Sequence, residues 1–142
     1  MTLDLATART IVAAALDHGR VGGLKPLTVV VLDAGGYVVV VEREDGSSNM
    51  RFEIARGKAF GALALGVGSR ALMERAETQP YFVAAAGAAI GGALVPVPGG
   101  VLVRDDGDHT IGAVGVSGDT SDNDEAAAVA GIAAAGLRAV PG

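Results

Sequence analysis

Residues 27–43 read LTVVVLDAGGYVVVVER, and this stretch decides the fold. Positions 27–33 and 37–43 are β-branched runs separated by the short turn Ala34-Gly35-Gly36. Two such runs across a glycine-containing turn predict a β-hairpin. Apolar residues stand at consecutive positions, so both faces of the hairpin need cover, from helices or from another subunit.

Working outward, residues 4–18 place Leu5, Ala8, Val12, Ala15 and Leu16 at helical spacing, with Gly19 positioned to end the helix. After the hairpin, residues 50–65 are Ala-rich and helix-prone. A short helix over 70–79 follows, with Ser69 as its cap and Pro80 as its limit. Residues 81–103 carry no charge. Their Ala and Gly content and the breaks at Pro96 and Pro98 argue against a membrane span and for a buried or ligand-lining loop. Residues 101–104 and 110–116, joined by Asp105-Asp106-Gly107-Asp108, predict a second hairpin. A closing helix spans 122–138, with Ser121 and Asp122 as caps and Arg138 in its last turn. The order is α-β-β-α-α-β-β-α: an α+β class, with a mostly antiparallel sheet flanked by helices. No linker divides the chain, so residues 1–142 are expected to form one domain.

Composition narrows the function. Eleven Lys and Arg against 16 Asp and Glu give a net charge of −5. Such a chain repels nucleic acid and anionic membranes, and no basic cluster offsets this. With no Cys, thiolate nucleophiles, Cys-ligated zinc, iron–sulfur clusters and disulfides are excluded. The start lacks a basic segment followed by an apolar one, so the expected location is the cytoplasm. The 22 glycines imply tight turns and close backbone approaches.

Several motifs have plain structural explanations. Gly66-Val67-Gly68-Ser69-Arg70-Ala71 matches a dinucleotide fingerprint, yet it follows a helix, and no acidic residue stands about 20 positions later. Gly57-Lys58 lacks the upstream Gly of a phosphate loop. Gly115-Val116-Ser117-Gly118 falls one residue short of a nucleophile elbow, and Ser117 would need His18 or His109 beside it. The acidic run 119–125 reads as helix capping rather than a calcium loop. Glu74 and Glu77 share a helix face with Arg70 and Arg75 nearby, a salt-bridged surface. His109 sits beside a hairpin turn among Asp residues and reads as exposed. His18 stands in the last turn of the first helix, whose negative end attracts a cation. Arg43 and Lys58, if they converge, would hold a carboxylate. Each alone is an ordinary surface cation.

Taken together, the residues resemble a known family. Val31-Leu32-Asp33-Ala34-Gly35-Gly36 and the Glu42-Arg43-x-Asp45-Gly46 turn resemble one half of its signature, with Ile54-Ala55-x-x-Lys58-Ala59 at the expected distance. Pro98-Gly99-Gly100-Val101, residues 111–118 (IGAVGVSG) and Asp124-Glu125 before an Ala-rich helix resemble the other half. The chain is similar, over nearly its whole length, to the GlcG/HbpS family, the haem-degrading domain also found as the C-terminal domain of PduO-type proteins. The resemblance implies a profilin-like fold, self-association into dimers or larger assemblies, and haem as cofactor. It further implies that Gly99, Gly100 and Ser117 bring backbone close to the ligand, that Arg43 and Lys58 neutralise its carboxylates, and that His18 is the candidate iron ligand. A second expectation is an enzyme acting on a small carboxylate or imine, with Lys58 or Asp33 in proton transfer. A third is a non-catalytic oligomeric module.

Overall fold

The computed structural model describes all of residues 1–142. The elements run α1 (Leu5–Val21), β1 (Thr28–Asp33), β2 (Val38–Arg43), α2 (Arg51–Leu65), α3 (Ser69–Thr78), α4 (Pro80–Ala89), β3 (Gly100–Arg104), β4 (Thr110–Ser117), α5 (Ser121–Ala134) and β5 (Arg138–Val140). One antiparallel sheet has the order β2-β1-β4-β3-β5. The two expected hairpins therefore meet along β1 and β4, with Thr28 opposite Ser117 and Asp33 opposite Gly112.

Helices cover both faces of the inner strands, but the edge strand β2 stays largely uncovered, with Val38 and Val41 exposed, so the expected cover of the first hairpin is met on β1 and not on β2. Val29, Val31, Val101, Val103, Val114 and Val116 point to α1 and α5, where Ala8, Ile11, Val12, Ala15, Ala127, Ala128 and Ile132 complete the larger core. Val30, Leu32, Leu102 and Ala113 point the other way, against Ala55, Ala59 and Ala62 of α2. That second interface is unusually thin. A Cβ at Gly115 would overlap the Ala55 carbonyl, and one at Gly100 would overlap the Lys58 carbonyl, so α2 lies almost directly on the β3–β4 backbone. The small residues of α2 are the other half of this approach.

Four local readings are corrected. The uncharged segment begins with α4 rather than a loop. Pro80 occupies its first turn, where a missing N–H costs nothing, and the alanines that follow favour helix. The segment after it then packs onto α2, with the Val95 N–H donating to the Gly57 carbonyl. Helix α5 ends at Ala134, with Gly136 in the left-handed conformation just beyond it, and Arg138 belongs to β5, which pairs with β3. Thr120, not Ser121 or Asp122, caps α5 by accepting from the Asn123 N–H. Gly19 does not end α1. The helix continues to Val21, and Gly19 is buried where a Cβ would meet Leu27.

On α3, Arg70 reaches away from Glu74 and Glu77 to pair with Asp122 and Glu125, tying α3 to α5. Arg75 instead stacks on Phe82. No helix is long and apolar enough to cross a membrane.

Candidate functional site

Antiparallel pairing gives the sheet two chemically different ends. At one end lie the start of β1, the end of β4, the start of β3 and the end of β2. Here the fold draws together Lys58, Gly99, Gly100 and Ser117. Lys58 Nζ donates to the Val116 carbonyl at 2.9 Å and to Asp124 Oδ2 at 3.0 Å, and both side chains are buried. Asp124 Oδ1 accepts the Asp119 N–H at 2.9 Å. Burial pushes the Lys58 ammonium below its usual range and the Asp124 carboxyl above its own, while their mutual attraction opposes both shifts. A Cβ at Gly99 would fall 2.8 Å from Lys58 Nζ, so this loop closes over the amine. The Gly100 N–H donates to Ser69 Oγ at 2.7 Å. Ser69, expected as a helix cap, thus ties α3 to β3 instead.

Arg43 joins the same row across the sheet, because Thr28 faces Arg43 on one side and Ser117 on the other. Arg43 Nη1 donates to the Ser47 carbonyl at 2.7 Å, and the Ser47 and Thr28 hydroxyls lie 2.9 Å apart. Arg51, in the first turn of α2, donates to Ser117 Oγ at 3.1 Å. With Arg51 as its hydrogen-bond partner and no histidine beside it, Ser117 has no base to make it a nucleophile. The ammonium of Lys58 is spent on Asp124. Arg43 and Arg51 are guanidiniums at this end that hydrogen-bond to neutral oxygens and not to carboxylates. The sequence reading missed Arg51 at this end and Asp124 as the partner of Lys58. Helix periodicity places Arg51 at the start of α2, but only the β1–β4 pairing puts that start beside Ser117.

Arg43 also lines a cavity of about 470 Å³ between α1 and the end of β2. Its other charged walls are Arg20, Glu42, Glu44 and Asp45, and Arg20 is already paired with Glu44 at 3.3 Å. Leu16, Leu24 and Pro26 are its only apolar walls, which leaves little surface for a flat aromatic guest.

The opposite end of the sheet is where both hairpin turns sit. Asp33 Oδ1 accepts the N–H groups of Gly35 and Tyr37 at 2.9 and 3.0 Å. In the second turn Asp105 Oδ1 accepts those of Gly107 and His109 at 3.0 and 2.9 Å. These donors, the His109 N–H foremost, hold the Asp105 carboxyl below its ordinary range. Between the turns and the N-terminal segment opens a cavity of about 630 Å³, lined by Leu3, Ala34, Tyr37, Ile111, Asp33 and His109 among others. Asp33 therefore reaches a cavity, but one remote from Lys58, and one of its oxygens is committed to the turn. His18 is exposed near the end of α1 and lines neither the 470 nor the 630 Å³ cavity. No cluster of three or more His, Asp or Glu side chains is arranged to hold a metal ion.

Comparison with known proteins agrees with this architecture. The chain superposes on a PduOC:haem complex with a TM-score of 0.86 at 24% identity, covering 97% of this chain and 98% of that one. It superposes on HbpS with a TM-score of 0.80 at 28% identity, covering 94% and 89%. The Klebsiella pneumoniae protein ORFY gives a TM-score of 0.84 at 24% identity, covering 96% and 92%. No curated protein sequence matches the chain. Residues 3–133 match the model of the family described as haem degrading protein HbpS-like. Given that match across most of its length, the chain belongs to the HbpS-like haem-degrading family.

Proposed function

We propose that this chain is a haem-binding protein that seats the macrocycle in the 630 Å³ cavity between its two hairpin turns and works as a homo-oligomer. The observation that carries the reading is the cavity's lining, considered together with family membership. Leu3, Ala34, Ile111 and the Tyr37 ring offer apolar surface for a flat aromatic guest, and the volume lies in the range of small-molecule sites. Its one imidazole, His109, is the side chain there that could meet the iron of a metalloporphyrin, which would bring most of its own ligands.

In this reading Leu3 and Ile111 exclude water from one wall. The Asp33 and Asp105 turns fix the shape of the other by holding their backbones through paired N–H bonds. Bound haem would supply an iron centre for oxygen or redox chemistry; the protein's part is to bind and orient it. Self-association is supported by the outer strand β2, where Val38, Val41 and the adjacent Tyr37 are exposed.

Titration of the purified chain with hemin tests this, with Ala34→Trp as the comparison because a large ring at that turn fills the cavity. A saturable Soret band in the unmutated protein, weakened in Ala34→Trp, supports the reading. A spectrum identical to free hemin contradicts it.

A second reading rests on Arg43 and Arg51, which flank the Ser47–Thr28–Ser117 row. Two guanidiniums beside buried hydroxyls suit a small carboxylate. Calorimetry with a simple dicarboxylate, repeated on Arg51→Ala, distinguishes it: heat lost in that variant favours this site.

A further inference from the structure

The His109 side chain is 78% exposed, lines the 630 Å³ cavity, and is nevertheless held in place. Its Nδ1 lies 3.2 Å from Asp105 Oδ1, the same oxygen that accepts the Gly107 and His109 backbone N–H groups. The Asp105 side chain is only 8% exposed, so the carboxylate is anchored within the turn. The turn itself is shaped around the ring. Gly107 lies where a Cβ would come within 2.8 Å of the imidazole, and Asp108 takes a left-handed φ of 64° that delivers the chain back to His109. Nδ1 is therefore occupied and Nε2 is the nitrogen left free. An imidazole oriented through one nitrogen by a carboxylate, with the other open, is the arrangement that metal-ligating histidines use.

What the imidazole would bind follows from what surrounds it. A bare divalent ion wants about four protein ligands, and no third His, Asp or Glu gathers here. A single donor suffices only for a metal that arrives with its other ligands, and the apolar walls suit a metalloporphyrin. We propose that His109 is the axial ligand of a haem iron in this cavity and that Asp105 is its positioning residue. This assignment rests on the haem reading above, and places the ligand on the β3–β4 turn rather than at His18.

The test is a hemin titration of the full chain and of His109→Ala, His18→Ala and Asp105→Asn, read by Soret and visible absorption and by electron paramagnetic resonance. Thermal melts establish that each variant is folded. His109→Ala is expected to lose the imidazole-ligated signature, to bind hemin at least about tenfold more weakly, and to regain the signature when free imidazole is added. His18→Ala keeps the unmutated spectrum. Asp105→Asn retains binding but raises the iron midpoint potential, because the ring loses the carboxylate that makes it a stronger donor; a merely structural role would leave the potential unmoved. An unchanged spectrum in His109→Ala, or loss of the signature in His18→Ala alone, overturns the assignment while haem binding itself stands. No saturable change in the unmutated chain overturns both.

Discussion

Lys58 Nζ and Asp124 Oδ2 meet at 3.0 Å with side chains 2% and 1% exposed, so a full ion pair is enclosed between α2, the end of β4 and α5. The pair couples the two faces of the sheet at one edge of the molecule. Desolvation works against both charges, and their attraction together with the Val116 carbonyl and the Asp119 N–H offsets it.

Breaking this pair from one side should be costly. Lys58→Met leaves the Asp124 carboxylate buried without a counter-charge, an expected loss of about 3–5 kcal/mol. Lys58→Met combined with Asp124→Leu should recover much of it. Urea unfolding of both single variants and the double variant gives the coupling directly. Equal, additive losses would mean that the pair contributes little.

The thin α2–sheet interface makes Gly115 intolerant of even one methyl group. Its neighbour is the Ala55 carbonyl, part of a helix backbone that cannot swing aside. Gly115→Ala should cost about 1–3 kcal/mol or more. The same substitution at Gly87 in α4, whose backbone is helical and where the added carbon meets only Leu94 Cβ at 3.8 Å, meets no such clash. A lower urea midpoint in the first variant and a smaller change in the second are expected.

Asp119 sets an acid limb. Its carboxyl is held down to about 2, first by the Asn123 amide and then by the backbone N–H groups of Lys25 and Thr120. A group whose folded value lies below its usual 3.8 stabilises the fold fully above 3.8, and that contribution fades as pH falls towards 2. Asp119→Asn should flatten this part of the stability-versus-pH curve. Direct titration of the Asp119 carboxyl by carbon NMR checks the direction independently.

Much of the fold was legible because its signals are local. The runs at 27–33 and 37–43 and the Asp-Gly turn at 105–108 announce hairpins whatever surrounds them. What stayed hidden depends on contacts between distant segments. Residues 138–140 form a strand only because β3 offers a free edge, and Pro80 could be read as a stop or a start until α4 was seen. The site divides the same way. Lys58 and Ser117 stood out in the residues themselves and Gly99 and Gly100 by family resemblance, and the fold brings these four close together. That Asp124 would consume the charge of Lys58, and that Arg51 would face Ser117, follows only from the pairing of β1 with β4. His109 was read as an exposed turn residue, which it is. The cavity it lines is assembled from three separate segments, at residues 1–3, 33–37 and 109–111, so no local pattern could disclose it.

The most direct test locates the ligand. Backbone NMR of the isotopically labelled chain, titrated with a diamagnetic gallium or zinc protoporphyrin, reports which amides move. The largest shifts are expected at Leu3, from Asp33 to Tyr37, and from His109 to Ile111, at the hairpin-turn end of the sheet. Shifts gathered instead around Arg43, Arg51 and Ser117, with the hairpin turns silent, would contradict haem binding in this cavity.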